Sequence, residues 1–338
     1  MMGLAFDGAK TVSLHDFPDP APGPGEVVLR ITASGMCGSD LHYYRAAPTS
    51  APALIGGHEP AGMVEVLGDG LEPGLLSVGD RVMVHHYAGC GACSSCRTGW
   101  SQMCTTAASL VYGKNAHGAH APYMTVSARS VLPLPDALSD LAGAAIGCGT
   151  GTAWGALERV GDVGGRDVVV VGQGPVGLSV TMLAAARGAT VIAVDPVPSR
   201  LEQARRLGAS EVIDPGATDA AEAVRELTEG GAAIAIDTSG ASAATASAID
   251  SLAPWGRLCV VGLGGRIELD VRKYLSRQIT VMTSWSLSSV QQIACADFVA
   301  RHAVPVDELF TDRWTLDEAD RAYAEFDRQA AGKAAFVF

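Results

Sequence analysis

Four closely spaced cysteines carry the strongest chemical signal in the sequence. Cys90, Cys93, Cys96 and Cys104 form the pattern C-x2-C-x2-C-x7-C within 15 residues of Gly- and Ser-rich chain. Four thiolates on so short a loop can surround a tetrahedral Zn²⁺ at Zn–S distances of ~2.3 Å. An iron–sulfur cluster and unligated thiols are the alternatives, although ferredoxin motifs usually continue with x3-C-P. The spacing predicts zinc, and a site of four cysteines leaves no open coordination position, which indicates a structural role.

A second set of potential metal ligands is dispersed along the chain. Cys37 lies in G-M-C-G-S-D-L-H, His58 in G-G-H-E-P-A-G and Cys148 in I-G-C-G-T. One imidazole and two thiolates form a known catalytic zinc set that leaves the fourth position for water or substrate. From the residues alone, packing is the more common explanation, because a single His or Cys is more often packed than ligating. We interpret Cys259 and Cys295 as packing residues.

A glycine-rich segment has the pattern of a dinucleotide site. The sequence V-V-V-V-G-Q-G-P-V-G places G-x-G-x-x-G after an apolar run and before a helical one, and it contains Gly172, Gly174, Pro175, Val176 and Gly177. Asp195 follows the next apolar run, 23 residues beyond Gly172. Such glycines let the backbone approach a pyrophosphate, and the carboxylate accepts from the ribose 2′-OH. A glycine-rich turn of another α/β fold is the alternative.

The carboxylate also bears on the choice of cofactor. Asp195 would repel a 2′-phosphate, so NAD is favoured over NADP. Arg200 lies five residues further on and would soften this preference if it contacts the cofactor. The alternative for Arg200 is a solvated helix face.

The central third of the chain alternates short β-branched runs with Ala- and Leu-rich stretches. This alternation predicts a doubly wound parallel sheet. The predicted strands are 168–171, 190–194, 211–213, 233–237 and 257–261, and the predicted helices are 176–187, 199–207, 219–229 and 242–252. Ser199 is the expected N-cap of its helix, and Gly188 and Gly208 are the expected glycines after helix ends. The first 150 residues have many Gly and Pro punctuators and indicate an irregular β domain, whereas the tail has a helix near 316–328 and a strand at 334–338.

Composition excludes several classes of protein. With 338 residues, 48% hydrophobic and 18% charged, the chain can bury the cores of about two domains. A net charge of −12 with no basic stripe argues against a nucleic-acid partner. No stretch reaches the roughly 20 apolar residues of a membrane span, and the first residues lack a signal peptide pattern. We therefore expect a cytoplasmic protein whose eight cysteines stay reduced.

Taken together and in this order, the motifs resemble those of the zinc-dependent medium-chain dehydrogenase/reductase family, which includes alcohol, sorbitol and threonine dehydrogenases. The resemblance covers essentially the whole chain. It implies an α/β protein with a GroES-like β-rich catalytic domain, residues 1–150 and 285–338, and a Rossmann NAD-binding domain, residues 151–284. It also implies two Zn²⁺ per chain, one catalytic and one structural, NAD as cofactor, and a homo-oligomer, with a tetramer favoured over a dimer.

The resemblance also implies roles for single residues around the catalytic zinc. Cys37, His58 and Cys148 match its protein ligands, and Glu59 matches a conditional ligand that replaces water in some relatives. Asp40 matches the carboxylate that fixes the imidazole of His58.

Three further residues match functional positions of the family. Ser39 matches the hydroxyl that takes the substrate proton. His42 matches the outlet that passes this proton to solvent by way of the nicotinamide ribose. Lys333 falls where some relatives place an Arg on the cofactor pyrophosphate.

The implied reaction is reversible oxidation of an alcohol to its carbonyl, with zinc as Lewis acid and NAD as hydride acceptor. Subfamily signals disagree: C-G-S-D-L-H resembles the sorbitol dehydrogenases, which commonly carry Glu where this chain has Cys148. A secondary alcohol, diol or polyol is the expected substrate, and an amino alcohol also fits. The alternatives are reduction of an activated C=C or C=N bond in biosynthesis and a non-catalytic NADH-binding sensor.

Overall fold

The structure is a computed structural model that describes residues 1–48, 53–329 and 332–338. Its strands are β1 Met2–Gly8, β2 Thr11–Asp16, β3 Glu26–Gly35, β4 Glu59–Leu67, β5 Arg81–Val84, β6 Tyr87–Ala88, β7 Leu110–Val111, β8 Tyr123–Ser127, β9 Val131–Pro133, β10 Asp167–Val171, β11 Thr190–Val194, β12 Glu211–Ile213, β13 Ala232–Asp237, β14 Leu252–Val260, β15 Thr280–Thr283, β16 Phe310–Trp314 and β17 Lys333–Val337. Its helices are α1 Asp40–Arg45, α2 Ser94–Arg97, α3 Asp140–Ile146, α4 Gly149–Val160, α5 Pro175–Ala186, α6 Pro198–Arg206, α7 Ala220–Leu227, α8 Ser242–Asp250, α9 Val271–Tyr274, α10 Ser289–His302 and α11 Ala319–Asp327.

The central part of the chain forms a six-stranded parallel sheet. Its order is β12-β11-β10-β13-β14-β15, and every neighbouring pair is parallel. Counted from β10, this is the order 3-2-1-4-5-6 of the doubly wound fold, whose strand order reverses between β10 and β13. Ligands of such sheets bind at the carboxyl ends of the strands beside this reversal. The α/β fold class is confirmed.

Alternate residues of β10 explain why its sequence is an unbroken apolar run. Val168 and Val170 pack in one hydrophobic cluster with residues of α4 and α5, whereas Val169 and Val171 pack in a second cluster with residues of α7 and α8. Each of these side chains is at most 6% exposed. Because helices cover both faces of a parallel sheet, its strands do not alternate between apolar and polar residues.

A second, largely antiparallel sheet combines both ends of the chain. Its order is β16-β17-β3-β4-β5-β9, with β8 also paired to β3. β17 lies antiparallel to β3, with Ala335 opposite Gly35. The C-terminal strands therefore complete the N-terminal sheet, as the resemblance implies for the GroES-like domain. The exact domain limits stay a prediction, and the limit at 150/151 falls inside α4.

The helices follow the sequence pattern with local differences. Gly188 and Gly208 come directly after the last turns of α5 and α6, at φ +83° and +107°, as predicted. The prediction that Ser199 is an N-cap is wrong, because α6 begins at Pro198 with Val197 as its N-cap. Proline has the φ of the first helical turn and needs no N–H there, so it starts the helix one residue earlier. Among the described residues, no helix is long and apolar enough to cross a bilayer.

Candidate active site and metal centres

Cys37, His58 and Cys148 come together at one end of the antiparallel sheet. β3 and β4 pair with Gly35 opposite Glu59, so the residues just beyond these two positions meet at the same edge. The two Sγ atoms are 3.9 Å apart, and Sγ of Cys148 is 3.4 Å from Nε2 of His58. A tetrahedral zinc with ordinary bond lengths requires about 3.8 Å between sulfurs and about 3.6 Å between sulfur and nitrogen. These donors therefore fit a zinc ion.

A buried carboxylate orients the imidazole of this cluster. Oδ1 of Asp40 lies 3.0 Å from Nδ1 of His58, and Oδ2 accepts from the backbone N–H of Cys37 at 2.9 Å. Burial alone would lower the pKa of His58, but Asp40 and Cys37 outweigh it and raise that pKa well above the usual value. A metal would displace the proton on Nε2, while Asp40 keeps the other proton on Nδ1 and so fixes the ring for ligation.

The predicted proton relay begins beside the metal ligands. Oγ of Ser39 lies 3.4 Å from Nε2 of His58, next to the place where a metal would bind. His42 is in α1 and exposed at the surface. The roles of Ser39 and His42 as the two ends of a proton relay stay a prediction.

The four cysteines of the loop after β6 form a second ligand set. Sγ of Cys90 is 3.9 Å from Sγ of Cys96, and Sγ of Cys93 is 4.0 Å from Sγ of Cys104, close to the edges of a zinc–thiolate tetrahedron. The backbone N–H of Cys90 and neighbouring donors lower the pKa of Cys104 to about 5, which favours the ligating thiolate. These donors fit a closed zinc site.

The closed cluster is joined to the segment that precedes α10. The side-chain amide of Gln102 donates to the Leu287 carbonyl at 2.8 Å, and the Ser289 N–H donates to the Gly99 carbonyl at 3.0 Å. The cluster therefore fastens a loop to the rest of the chain, in keeping with a structural role.

The glycine-rich turn lies at the carboxyl end of β10, beside the strand-order reversal. Gly172 has φ +86°, and a Cβ at Gly177 would collide with the Gly172 carbonyl, so both positions require glycine. α5 begins at Pro175 with Gly174 as N-cap, and Val176 lies in its first turn. A Cβ at Gly174 would meet no atom within 4 Å, so the helix N-terminus is open to a phosphate group.

Asp195 lies at the end of β11, 3% exposed. Its two oxygens accept from the backbone N–H groups of Gln173, at 2.6 Å, and Val197, at 2.8 Å. A carboxylate has about four acceptor positions, so hydroxyl donors can still bind. Arg200 is 3.7 Å from Asp195 and donates to the Gln329 carbonyl, with its side chain only 15% exposed, so it does not lie on a solvated helix face.

Two family patterns and a full-length relative match this chain. Residues 23–136 match the alcohol dehydrogenase GroES-like domain, and residues 175–301 match the zinc-binding dehydrogenase family. The zinc-type alcohol dehydrogenase-like protein YphC of Escherichia coli is 38% identical over 100% of this chain and 99% of its own length. The chain belongs to the zinc-dependent medium-chain dehydrogenase/reductase family. It is an oxidoreductase of the zinc alcohol dehydrogenase type.

Two further similarities extend along nearly all of this zinc-dependent dehydrogenase. A sorbitol dehydrogenase of Halalkalibacterium halodurans is 32% identical over 94% of this chain and 92% of its own length. The alcohol dehydrogenase TADH from Thermus sp. ATN1 has a similar structure, with a TM-score of 0.91, 29% identity, and coverage of 100% and 99% of the two chains. Both similarities agree with the fold and with the family.

The contact of Lys333 with a cofactor pyrophosphate stays a prediction. Its ammonium group is buried, forms an ion pair with Glu59 and donates to the Met36 carbonyl at 3.2 Å. The pairing of β17 with β3 places residue 333 beside Glu59. No local signal in the sequence reveals this partner.

Glu59 is fully buried beside the zinc ligands, with a carboxylate oxygen within 4.8 Å of their donor atoms. Burial raises the pKa of Glu59 to about 7, against the opposing effect of Lys333. Neither oxygen has a hydrogen bond of good geometry to the described residues. Oε2 of Glu59 lies in the ion pair with Lys333, and the role of conditional zinc ligand stays a prediction.

Sequence reasoning missed His86, which borders the cluster of Cys37, His58 and Cys148 in this dehydrogenase. Its ring centroid is 5.1 Å from that of His58, and Nδ1 lies 3.0 Å from the carbonyl of Gly147, the residue before Cys148. Burial and the neighbouring His58 lower the pKa of His86 well below its usual value, so the ring is neutral. The doublet His85-His86 immediately before the cysteine loop is the signal that would have found it.

Proposed function

We propose that this dehydrogenase reversibly oxidises a secondary alcohol, diol or polyol to its carbonyl with NAD. The observation that carries the proposal is the incomplete ligand set: Cys37, His58 and Cys148 fit a tetrahedral zinc and leave one position for substrate. The only further donor in this group among the described residues, Glu59, is held in an ion pair with Lys333. The geometry therefore favours an open, catalytic zinc over a closed, structural one.

Two bound groups supply the chemistry: zinc is the Lewis acid that makes an alcohol hydroxyl more acidic, and NAD is the hydride acceptor. Cys37, His58 and Cys148 would hold the zinc. Oγ of Ser39, beside these ligands, takes the proton of the substrate hydroxyl. His42 at the surface releases that proton to solvent.

The preference for NAD is proposed from Asp195. Two backbone N–H groups hold its carboxylate at the end of β11, where the adenosine ribose binds in doubly wound sheets. The negative charge of Asp195 would repel a 2′-phosphate. Arg200 is already in an ion pair with Asp195, so it does not offset this repulsion. The carboxylate therefore selects a free 2′-hydroxyl.

His86 favours a substrate with a second polar group. In a neutral imidazole whose Nδ1–H donates to the Gly147 carbonyl, Nε2 is an acceptor. An acceptor beside the zinc ligands suits a hydroxyl or amine next to the reacting carbon. The similarity to a sorbitol dehydrogenase agrees with a diol or polyol.

The substitution His86→Phe tests this preference because it keeps an aromatic ring and removes the acceptor. One neutral hydrogen bond contributes about 0.5–1.5 kcal/mol, so we expect kcat/KM for butane-2,3-diol to fall about 2- to 13-fold relative to that for butan-2-ol. The ratio of the two substrates is the measurement, since any general damage to the site lowers both. An unchanged ratio would remove His86 from substrate recognition.

Two alternative functions remain to be tested against this proposal. Reduction of an activated C=C or C=N bond would not need the Ser39 and His42 relay, and an NADH sensor would not need an open metal site. We would follow NADH or NADPH with simple alcohols, vicinal diols, polyols and L-threonine as substrates. Turnover that a chelator abolishes supports the proposal. No turnover by protein with both zinc sites filled would transfer support to the alternatives.

Exposed apolar side chains support the proposed homo-oligomer. Four large side chains are each 66–74% exposed and lie in β14 or between β14 and β15, the edge strand of the parallel sheet: Trp255, Leu263, Val271 and Leu275. Large exposed apolar side chains in one part of a chain indicate an interface. We expect a tetramer, measured as four chain masses by light scattering; a monomer at micromolar concentration would contradict this.

The thiols that bind zinc further suggest a reducing compartment such as the cytoplasm.

A further inference from the structure

A chain of buried polar side chains extends from the catalytic cluster on the side opposite the zinc position. Beyond His58 and Asp40 it consists of Tyr323, His120 and Ser34, and none of these three has any exposed surface. Oη of Tyr323 lies 3.4 Å from Oδ2 of Asp40 and 2.7 Å from Nε2 of His120. Nδ1 of His120 lies 2.8 Å from Oγ of Ser34.

Only one direction of donation gives each of these groups a suitable partner. The ionised carboxylate of Asp40 can only accept, so the Tyr323 hydroxyl donates to it. His120 then donates from Nε2 to the Tyr323 oxygen, and the Ser34 hydroxyl donates to Nδ1. If Tyr323 instead donated to His120, its oxygen lone pairs would face the negative Asp40 without a proton between them. Burial lowers the pKa of His120 to about 4, which keeps its ring neutral, with one donor and one acceptor.

The surroundings fix these side chains in place. The His120 ring packs edge-on against Phe336 at 4.8 Å, and Tyr323 packs edge-on against Phe6 at 5.0 Å. A Cβ at Gly57, the residue before His58, would collide with the His120 ring. His120 therefore supports the His58 segment directly as well as through Tyr323 and Asp40.

We propose that Tyr323 and His120 are positioning residues of the catalytic zinc centre. By fixing Asp40, they hold His58 in the orientation and tautomer that bind metal. Through this network, Tyr323 of α11 and His120 of the loop before β8 act on the site by way of Asp40. This inference rests on the proposed function, because it assumes that zinc binds at Cys37, His58 and Cys148.

The substitution Tyr323→Phe removes the hydroxyl from this network and leaves the ring. Loss of an outer partner of a zinc ligand typically weakens metal binding about 10- to 100-fold, and we expect the lower end, about 10-fold, for a residue one step further from the metal. The matched control is Tyr44→Phe, because Tyr44 is buried in the same aromatic cluster with its ring centroid 5.6 Å from that of Tyr323. Zinc remaining on the full-length protein is measured against a competing chelator.

The four-cysteine site serves as an internal reference. The proposal predicts that Tyr323→Phe loses one zinc about 10-fold more readily than the natural protein and keeps the other, whereas Tyr44→Phe keeps both. Equal retention by all three proteins would overturn the proposal. Loss of both ions together from Tyr323→Phe would also overturn it, because this is the result of a weakened fold.

Substitution of His120 separates a hydrogen-bonding role from a packing role. Gln retains one donor and one acceptor, so His120→Gln should bind the catalytic zinc more tightly than His120→Leu; equal weakening would contradict the network. These measurements need no turnover. If the natural protein binds two zinc ions but oxidises no alcohol, the proposed function fails while the positioning role is still tested.

Discussion

Cys37→Ala is expected to abolish alcohol oxidation and to remove one zinc ion per chain. Sγ of Cys37 occupies one corner of the tetrahedron, 3.9 Å from Sγ of Cys148. Without it, the two remaining protein ligands cannot hold the ion in place. A Lewis-acid metal contributes several kcal/mol to the transition state, so kcat/KM should fall by at least about 10³-fold. Zinc content and the rate of NADH formation are measured on the same preparation.

Cys295→Ala is the matched control for this change. Cys295 is a fully buried thiol in α10, outside both ligand clusters, and its loss should leave both zinc ions bound. Full activity in the Cys37 variant would mean that this cluster is not the reacting centre.

Asp195→Ser should invert the preference between the two cofactors. The substitution removes a negative charge beside the ribose site and one hydrogen-bond acceptor for its hydroxyls. Hydrogen bonds to charged groups contribute about 1.5–3 kcal/mol, so kcat/KM with NAD should fall about 10- to 100-fold. Relief of charge repulsion should raise kcat/KM with NADP at the same time. The measurement is the ratio of the two values at a fixed alcohol concentration.

Asp214→Ser provides the comparison for this experiment. Asp214 follows β12, the strand next to β11, and likewise accepts a backbone N–H, that of Gly216 at 2.8 Å. It lies one strand further from the reversal of strand order, so its loss should leave the cofactor ratio unchanged. An unchanged ratio in the Asp195 variant would refute the assignment of NAD preference to this carboxylate.

Features defined by local spacing were predictable from the sequence. The four cysteines that can form a tetrahedron lie on one short loop. The glycine-rich turn comes directly after the apolar residues that form β10, so its place at the end of a strand was predictable. The glycines at 188 and 208 mark helix ends because the left-handed conformation favours glycine. Ser199 misled because Pro198 is the stronger signal for the first turn of α6.

The catalytic cluster required the family resemblance because its ligands are far apart in sequence. His58 meets Cys37 through the register of β3 and β4, and Cys148 joins them from the start of α4. No periodicity or spacing encodes such a meeting. Motifs that resemble those of a family supply this information indirectly.

Residues that depend on the C-terminal elements were beyond sequence reasoning. Lys333 meets Glu59 only because β17 pairs with β3, and Tyr323 reaches Asp40 only because α11 packs on α1 and β2. A buried lysine or tyrosine gives no local sign of its partner.

We propose that the Cys37, His58 and Cys148 centre oxidises alcohols when it holds zinc. The most direct test follows NADH formation from butane-2,3-diol while a chelator removes zinc stepwise, with zinc content measured in each sample. The rate should fall in proportion to the loss of the zinc ion that Cys37→Ala lacks. It should return when zinc is added. Turnover that persists after this ion has left would contradict a catalytic role for the zinc at Cys37, His58 and Cys148.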